Sequence, residues 1–384
     1  MKVLILSCNT GQGHNSAGRA VAAEFAKRGI ECEMLDALVF DSELTSKFVS
    51  NVHNKSTVHI PKIYGLGVSA AKVLDKMSRK RSVCYLANST YASSLYQYIK
   101  ENHYDTLIMP HVFPSEAATR IIRKYGATFH TYFIATDYGY PPFLSDTDLD
   151  AYFIPHHDLE LNFAKAGLPI NKLFPVGIPV SECFAEKTDR LTARRELGLP
   201  EEGNIVLVMT GSMGYGDTEP LVKDLLRRIP ENTHVVVMGG NNEKMKTRLR
   251  TRYGKDERLR VIDFTKQVSL YMDAADLLFT KPGGLSSTEA AVKGIPTIHT
   301  KPIPGWEEEN IEFFRTHGLS LSGASPEDLV THALWLLGNP WAREEMVAAQ
   351  ARTVNKYAAR DICTHIINAQ SELSEASSAK GGTD

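Results

Sequence analysis

Cysteine is scarce in this chain. There are five in 384 residues (Cys8, Cys32, Cys84, Cys183 and Cys363), an odd number with no C-x-x-C pair. That excludes a disulfide framework and a cysteine-based zinc site, and it points to a reducing compartment. An excess of one charge is missing too. The 43 Lys and Arg nearly balance the 45 Asp and Glu, for a formal net charge of −2. A protein that coats nucleic acid is excluded by that balance, so partners must be sought in local patches. No run reaches the roughly 18 apolar residues of a membrane-spanning helix. The opening residues Met1 to Ser7 are too short for a signal-peptide core and are expected to form a buried first strand. Two nucleotide fingerprints are also lacking. After Gly11 and Gly13 the next glycine is Gly18, too late for G-x-G-x-x-G, and no G-K-[ST] occurs. The sequence therefore argues against a dinucleotide dehydrogenase and a P-loop enzyme.

What is present is a globular balance of 43% hydrophobic and 23% charged residues, over a length that suits two domains. Lys2–Ser7 is an apolar run of the kind buried in parallel sheets. It leads through Asn9–His14 into a helical pattern over Asn15–Arg28 that stops at Gly29. Further strands are expected at Thr106–Pro110, Thr131–Thr136 and Ala151–Pro155, with helices between them such as Ser115–Tyr125. The pattern restarts at Asn204–Thr210, with a helix over Thr218–Arg228 and strands at His234–Met238, Arg260–Asp263, Leu277–Thr280 and Thr297–Thr300. Alternating strands and helices define an α/β protein of two doubly wound, Rossmann-like domains in series. The expected divisions are a first domain over 1–175, a linker over 176–200 and a second domain over 201–350. A helix over 351–372 is expected to pack back across the linker, followed by a small, polar, disordered tail over 373–384.

Four loops carry the chemistry. Gly11-x-Gly13-His14 joins a strand to a helix, where glycine permits close backbone approach and the helix N-terminus favours an anion. A plain turn with a surface histidine reads equally well from this loop alone. Gly211-Ser212-Met213-Gly214-Tyr215-Gly216 repeats the arrangement and suits a diphosphate, or is an ordinary turn. In Lys281-Pro282-Gly283-Gly284-Leu285-Ser286-Ser287-Thr288-Glu289, glycines and hydroxyls enter a helix. Glu289 there either complements the helix dipole or accepts both hydroxyls of a ribose. Pro304-Gly305-Trp306-Glu307-Glu308-Glu309-Asn310 offers acidic and amide groups to sugar hydroxyls, or is an acidic helix start.

Together, Thr10-Gly11-Gln12-Gly13-His14, Lys281–Glu289 and Pro304-Gly305-x-Glu307-x-x-Asn310 resemble the family of monogalactosyldiacylglycerol synthases and bacterial diacylglycerol glucosyltransferases. More distantly they are similar to the enzyme that adds N-acetylglucosamine to the lipid-linked peptidoglycan precursor. The resemblance runs from about Lys2 to Gly318. It implies two facing Rossmann-like domains of the GT-B type with the active site in the cleft. The second domain would hold a UDP-hexose: Glu289 on the ribose, Gly211, Ser212, Gly214, Gly283, Gly284, Leu285, Ser286 and Ser287 on the diphosphate, and backbone near Phe264 on the uracil. Trp306, Glu307 and Asn310 would face the donor sugar. Trp306 departs from the glutamine usual in the family, which leaves the hexose open. The first domain would take a lipid such as diacylglycerol beside Gly11, Gly13 and His14.

An inverting transfer needs a base, and Asp137, after the strand at Thr131–Thr136, is the first choice, with His14 its competitor. UDP is expected to leave toward helix N-termini with no cofactor and no metal. Asp146, Asp148 and Asp150 overlap a D-x-D pattern but are expected to be a loop entering a strand. His156-His157-Asp158 has the composition of a metal cluster, but adjacent ligands on a strand end are expected to point apart, leaving Asp158 as a helix cap. Between Glu43 and Ser82 eight basic residues oppose only Glu43 and Asp75, with apolar residues interleaved. Such a segment suits an anionic membrane surface, so the expected location is cytoplasmic and peripheral on the inner face of the cell membrane. No recognised nucleic-acid module accompanies the charge. The competing functions are a UDP-N-acetylglucosamine 2-epimerase and a silent nucleotide-sugar-binding subunit.

Overall fold

A computed structural model describes residues 1–8, 12–40, 82–209, 218–305 and 307–380. The basic segment at 43–82 lies outside them except for Ser82. So do Gly11, the loop bearing Gly211, Ser212 and Gly214, and Trp306.

The first sheet contains β1 (Lys2–Ser7), β2 (Glu31–Asp36), β3 (Thr106–Met109), β4 (His130–Ile134), β5 (Ala151–Ile154) and β6 (Leu173–Pro175). All its pairings are parallel, in the order β2-β1-β3-β4-β5-β6. The second contains β7 (Asn204–Met209), β8 (Thr233–Met238), β9 (Leu259–Ile262), β10 (Leu277–Thr280), β11 (Thr297–His299) and β12 (Leu321–Ser322), in the order β12-β11-β10-β7-β8-β9. Central strands such as KVLILS and NIVLVM are nearly continuous apolar runs because helices cover both faces. The strands that escape sequence reading, β2, β6 and β12, are all at sheet edges. They are short or of mixed polarity and carry no such run.

The helices that matter for the site are α1 (Gln12–Lys27), α2 (Arg190–Glu196), α3 (Val268–Ala274), α4 (Gly284–Lys293), α5 (Glu308–Thr316), α6 (Pro340–Thr353) and α7 (Ala358–Lys380). Gly29 and Gly294, with φ of 71° and 67°, take the left-handed turns that end α1 and α4. The expected linker carries structure of its own. Its α2 is bolted to the second domain, where Arg194 donates to the Ala274 carbonyl and pairs with Asp276 at 2.7 Å. The single helix expected over 351–372 is two helices, broken at 354–357. There the Asn355 amide donates to the Val176 carbonyl and to Asp361, both at 2.9 Å, which closes a turn instead of continuing the helix. The expected disordered tail is helical through Lys380, in keeping with the helix-forming Glu, Leu and Ala of 372–379. Ile362, Cys363 and Ile366 of α7 pack with Val3, Ile5, Phe25 and Ile108 on the first domain. Each isoleucine so buried is worth about 1.5–3 kcal/mol over exposure.

Candidate active site

In each sheet the chain changes winding direction between two adjacent strands, β1 and β3 in the first and β7 and β10 in the second. Open α/β sheets bind ligands at that point, beyond the carboxyl ends of the strands. The first three loops singled out above leave β1, β7 and β10, the fourth leaves the neighbouring β11, and the two crevices face each other. One apolar cluster runs through the contact, with Tyr138 and Leu144 of the first domain joined to Leu285, Phe313 and Phe314 of the second.

In the first crevice α1 begins at Gln12, three residues before its expected start, which puts Gly13 and His14 in the first turn. A Cβ on Gly13 would lie 3.8 Å from Leu285 of the opposite domain. The His14 Nδ1 lies 2.7 Å from the Pro110 carbonyl and 2.9 Å from the Thr136 hydroxyl. A carbonyl only accepts, so Nδ1 carries the proton and, in the neutral ring, Nε2 keeps its lone pair. Burial lowers the His14 pKa, opposed by the charge of Asp137 and by the Pro110 bond.

Asp137 follows β4 and reaches into the second domain. Its Oδ1 accepts the Gly284 backbone N–H at 3.0 Å and the Asn310 amide at 2.8 Å. A carboxylate therefore stands on the N-terminus of α4, where a diphosphate oxygen is expected. The approach requires glycine, since a Cβ at Gly284 would lie 2.2 Å from the Thr136 carbonyl. Asn310 is fully buried, and it also donates to the Pro282 carbonyl and accepts from the Tyr138 N–H. It thus holds the domains together. Tyr138 adds a hydroxyl bond to Thr288 at 3.0 Å and a ring stacked on Phe313 at 4.5 Å. Neither Tyr138 nor Thr288 stood out in the sequence, although Tyr138 directly follows Asp137.

In the second crevice Glu289 lies a full turn into α4, too far from the N-terminus for the dipole reading. Desolvation pushes its carboxyl up to about 8, and among the described residues no donor or cation bonds it. Glu307 is different. It is buried, and its oxygens take Lys281 Nζ at 2.5 Å and the Ile303 N–H at 2.9 Å, so it fastens its own loop instead of meeting a sugar. The Ser287 hydroxyl faces inward to His299 at 2.9 Å, away from any diphosphate, while Ser286 is only half-buried. Phe264, 65% exposed beyond β9, leaves the backbone around it accessible.

The acidic run behaves as a loop entering β5. Asp146 accepts from Ser82, Asp148 pairs with Lys172, and Asp150 accepts from Thr131. His156-His157-Asp158 does not follow expectation. The chain turns there into a 3-10 helix over His157–Leu159 capped by His156, and the side chains converge to within 4.8 Å of one another.

The chain matches the family model described as monogalactosyldiacylglycerol (MGDG) synthase over residues 14–180. It matches that of the glycosyltransferase family 28 C-terminal domain over 205–308. It is 25% identical to a processive diacylglycerol beta-glucosyltransferase of Bacillus pumilus over 97% of this chain and 96% of that one. A Staphylococcus carnosus protein of the same description is 25% identical, over 68% of each chain. In fold it is similar to MurG of Acinetobacter baumannii (TM-score 0.62, 16% identity, 96% and 99% covered). It is equally similar to the UDP-GlcNAc 2-epimerase of Neisseria meningitidis (TM-score 0.63, 12% identity, 96% and 100% covered).

Proposed function

We propose, from the premise that this chain belongs to the family of monogalactosyldiacylglycerol synthases and diacylglycerol glucosyltransferases, that it transfers a hexose from a UDP-sugar to the free hydroxyl of diacylglycerol with inversion. The observation that carries the reading is one cleft with a base on one wall and an unbonded carboxylate on the other. His14, with Nδ1 fixed on the Pro110 carbonyl, aims a lone pair from Nε2. Glu289 offers oxygens to a ribose.

His14 takes the proton of the acceptor hydroxyl. The oxygen attacks the anomeric carbon as the bond to UDP breaks, and the electron pair leaves with UDP. The diphosphate lies on the Gly284 N–H and displaces the Asp137 carboxylate from it. Asp137 then stabilises the imidazolium that forms on His14. Asp137 is the first choice of base from the sequence; the His14 tautomer, which leaves an acceptor nitrogen at Nε2, favours His14. Leaving-group charge is met by helix N-termini, and no metal takes part in the transfer. Residues 43–82 dock the enzyme on an anionic leaflet at the inner face of the membrane. No helix among the described residues is long and apolar enough to cross it.

The test is turnover on liposomes containing diacylglycerol with a panel of UDP-hexoses, following glycolipid and free UDP. Glycolipid from one donor names the sugar. Added Mg²⁺ should leave the rate unchanged, and anionic vesicles should co-sediment the enzyme where zwitterionic ones do not. Conversion of UDP-N-acetylglucosamine without any acceptor would favour the epimerase, which has the fold alone in its support.

A further inference from the structure

Beside the cleft, at the carboxyl end of β5, a second group of chemically active side chains has no part in the transfer. His156, His157 and Asp158 come from the first domain and His317, following α5, from the second. The Asp158 carboxylate is their common centre. Its oxygens lie 2.8 Å from His317 Nε2, 3.1 Å from His157 Nε2 and 3.5 Å from His156 Nδ1. The rings crowd together, with His156 4.0 Å from His157 and 5.3 Å from His317 between centroids.

The hydrogen bonds sort the ring nitrogens by role. His317 Nδ1 lies 2.8 Å from the Phe313 carbonyl and must donate to it, so Nε2, 2.8 Å from the carboxylate, either donates a second proton there or gives its lone pair to a metal ion that takes that proton's place. His156 Nδ1 spends its one lone pair on the Asp158 N–H at 3.3 Å, so it orders the turn and offers no ligand. The donors are the Nε2 atoms of His157 and His317 and the Asp158 carboxylate, which with one water make a set suited to tetrahedral zinc and similar first-row ions and not to the all-oxygen preference of Mg²⁺ and Ca²⁺. The His317–Phe313 bond is the outer-shell contact that fixes tautomer and ring direction in histidine metal sites.

We propose that His157, Asp158 and His317 bind one divalent first-row cation, zinc by preference, which clamps the two domains together. The clamp acts on the active site through α5. Phe313 stacks on His317 at 4.1 Å and on Tyr138 at 4.5 Å, and Asn310 of the same helix holds Asp137. This inference does not depend on the identity of donor or acceptor.

The full chain, stripped with a chelator and desalted, is titrated with Co²⁺ while its visible ligand-field absorption is followed. One equivalent should bind with the intense bands of a tetrahedral site, and Zn²⁺ should displace it. His157→Ala, at a side chain 69% exposed, should weaken binding by at least about tenfold, the least that loss of even an outer-shell partner costs. His317→Ala should abolish the bands, and with them the rise in melting temperature that Zn²⁺ gives the unaltered chain. Absence of the bands from the unaltered chain, or equal binding by it and by His157→Ala, would overturn the site and leave a proton as the bridging cation. An equal Zn²⁺-induced rise in His317→Ala would overturn the clamp.

Discussion

The two crevices share a topology and are built of opposite materials. On the first domain the reactive groups are side chains whose partners lie within the fold: His14 on Pro110 and Thr136, and Asp137 on Gly284 and Asn310. On the second, the receptors are the backbone N–H of α4 and a carboxylate that no described residue bonds. The difference follows the ligands. A nucleotide diphosphate brings charge and hydroxyls and needs fixed receptors for them. A lipid hydroxyl brings almost nothing polar, so the protein must supply the chemistry. The contrast predicts that damage to the first crevice costs rate and damage to the second costs affinity.

The largest effect should come from His14→Ala, with glycolipid formation down by about 10²–10⁴-fold and UDP binding nearly unchanged by calorimetry. Asp137→Asn sharpens this, since it should retain more turnover than His14→Ala; the reverse order would make Asp137 the base.

Next, Glu289→Gln should weaken UDP binding by about 10–100-fold, the worth of hydrogen bonds to a charged acceptor, while kcat at saturating donor falls far less. Affinity should also depend on pH. Ribose hydroxyls bond the ionised carboxylate, and burial holds that carboxyl near 8 in the free protein. Binding must then release a proton below that value, so UDP affinity should rise with pH up to about 8 and flatten above it. The Glu289→Gln chain should lack this component of the slope.

A third effect concerns stability without UDP. The folded chain holds the Glu289 proton more tightly than the unfolded chain does, whose value is about 4.3. The cost of the buried charge is therefore absent below about pH 4 and complete only above about 8. Glu289→Gln should melt above the unaltered chain at pH 8.5 and level with it at low pH. Equal melting at both would show the carboxylate to be paired.

The smallest effect is Tyr138→Phe. It removes one hydroxyl bond across the domains and leaves Thr288 still donating to the Gly284 carbonyl at 2.7 Å, so the loss should be about 1 kcal/mol in denaturant unfolding.

Much of this was legible from sequence because it is local. Continuous apolar runs announce the central strands, and glycines at strand ends announce the switch points. Glu289 was found because its helix and its glycines lie within nine residues of Lys281. What escaped depends on distance in the chain. Glu307 and Asn310 read as sugar contacts, yet the fold turns them onto Lys281, Asp137 and Tyr138. Ser287 read as a phosphate ligand and faces His299. The histidines at 156 and 157 were expected to diverge, because a strand was assumed to continue where the chain coils into a 3-10 turn. The convergence of His317 on Asp158, 159 residues apart, has no trace in any local pattern.

The chain passes between the domains twice, after Val176 and again at 354–357, and Asn355 ties the two passages together. A single connection would leave the second domain free to swivel and twist. Two bound strands act like a door hung on a short pin, and they reduce relative motion to rotation about one axis. The tie therefore limits how far His14 and Glu289 can turn relative to each other across the cleft.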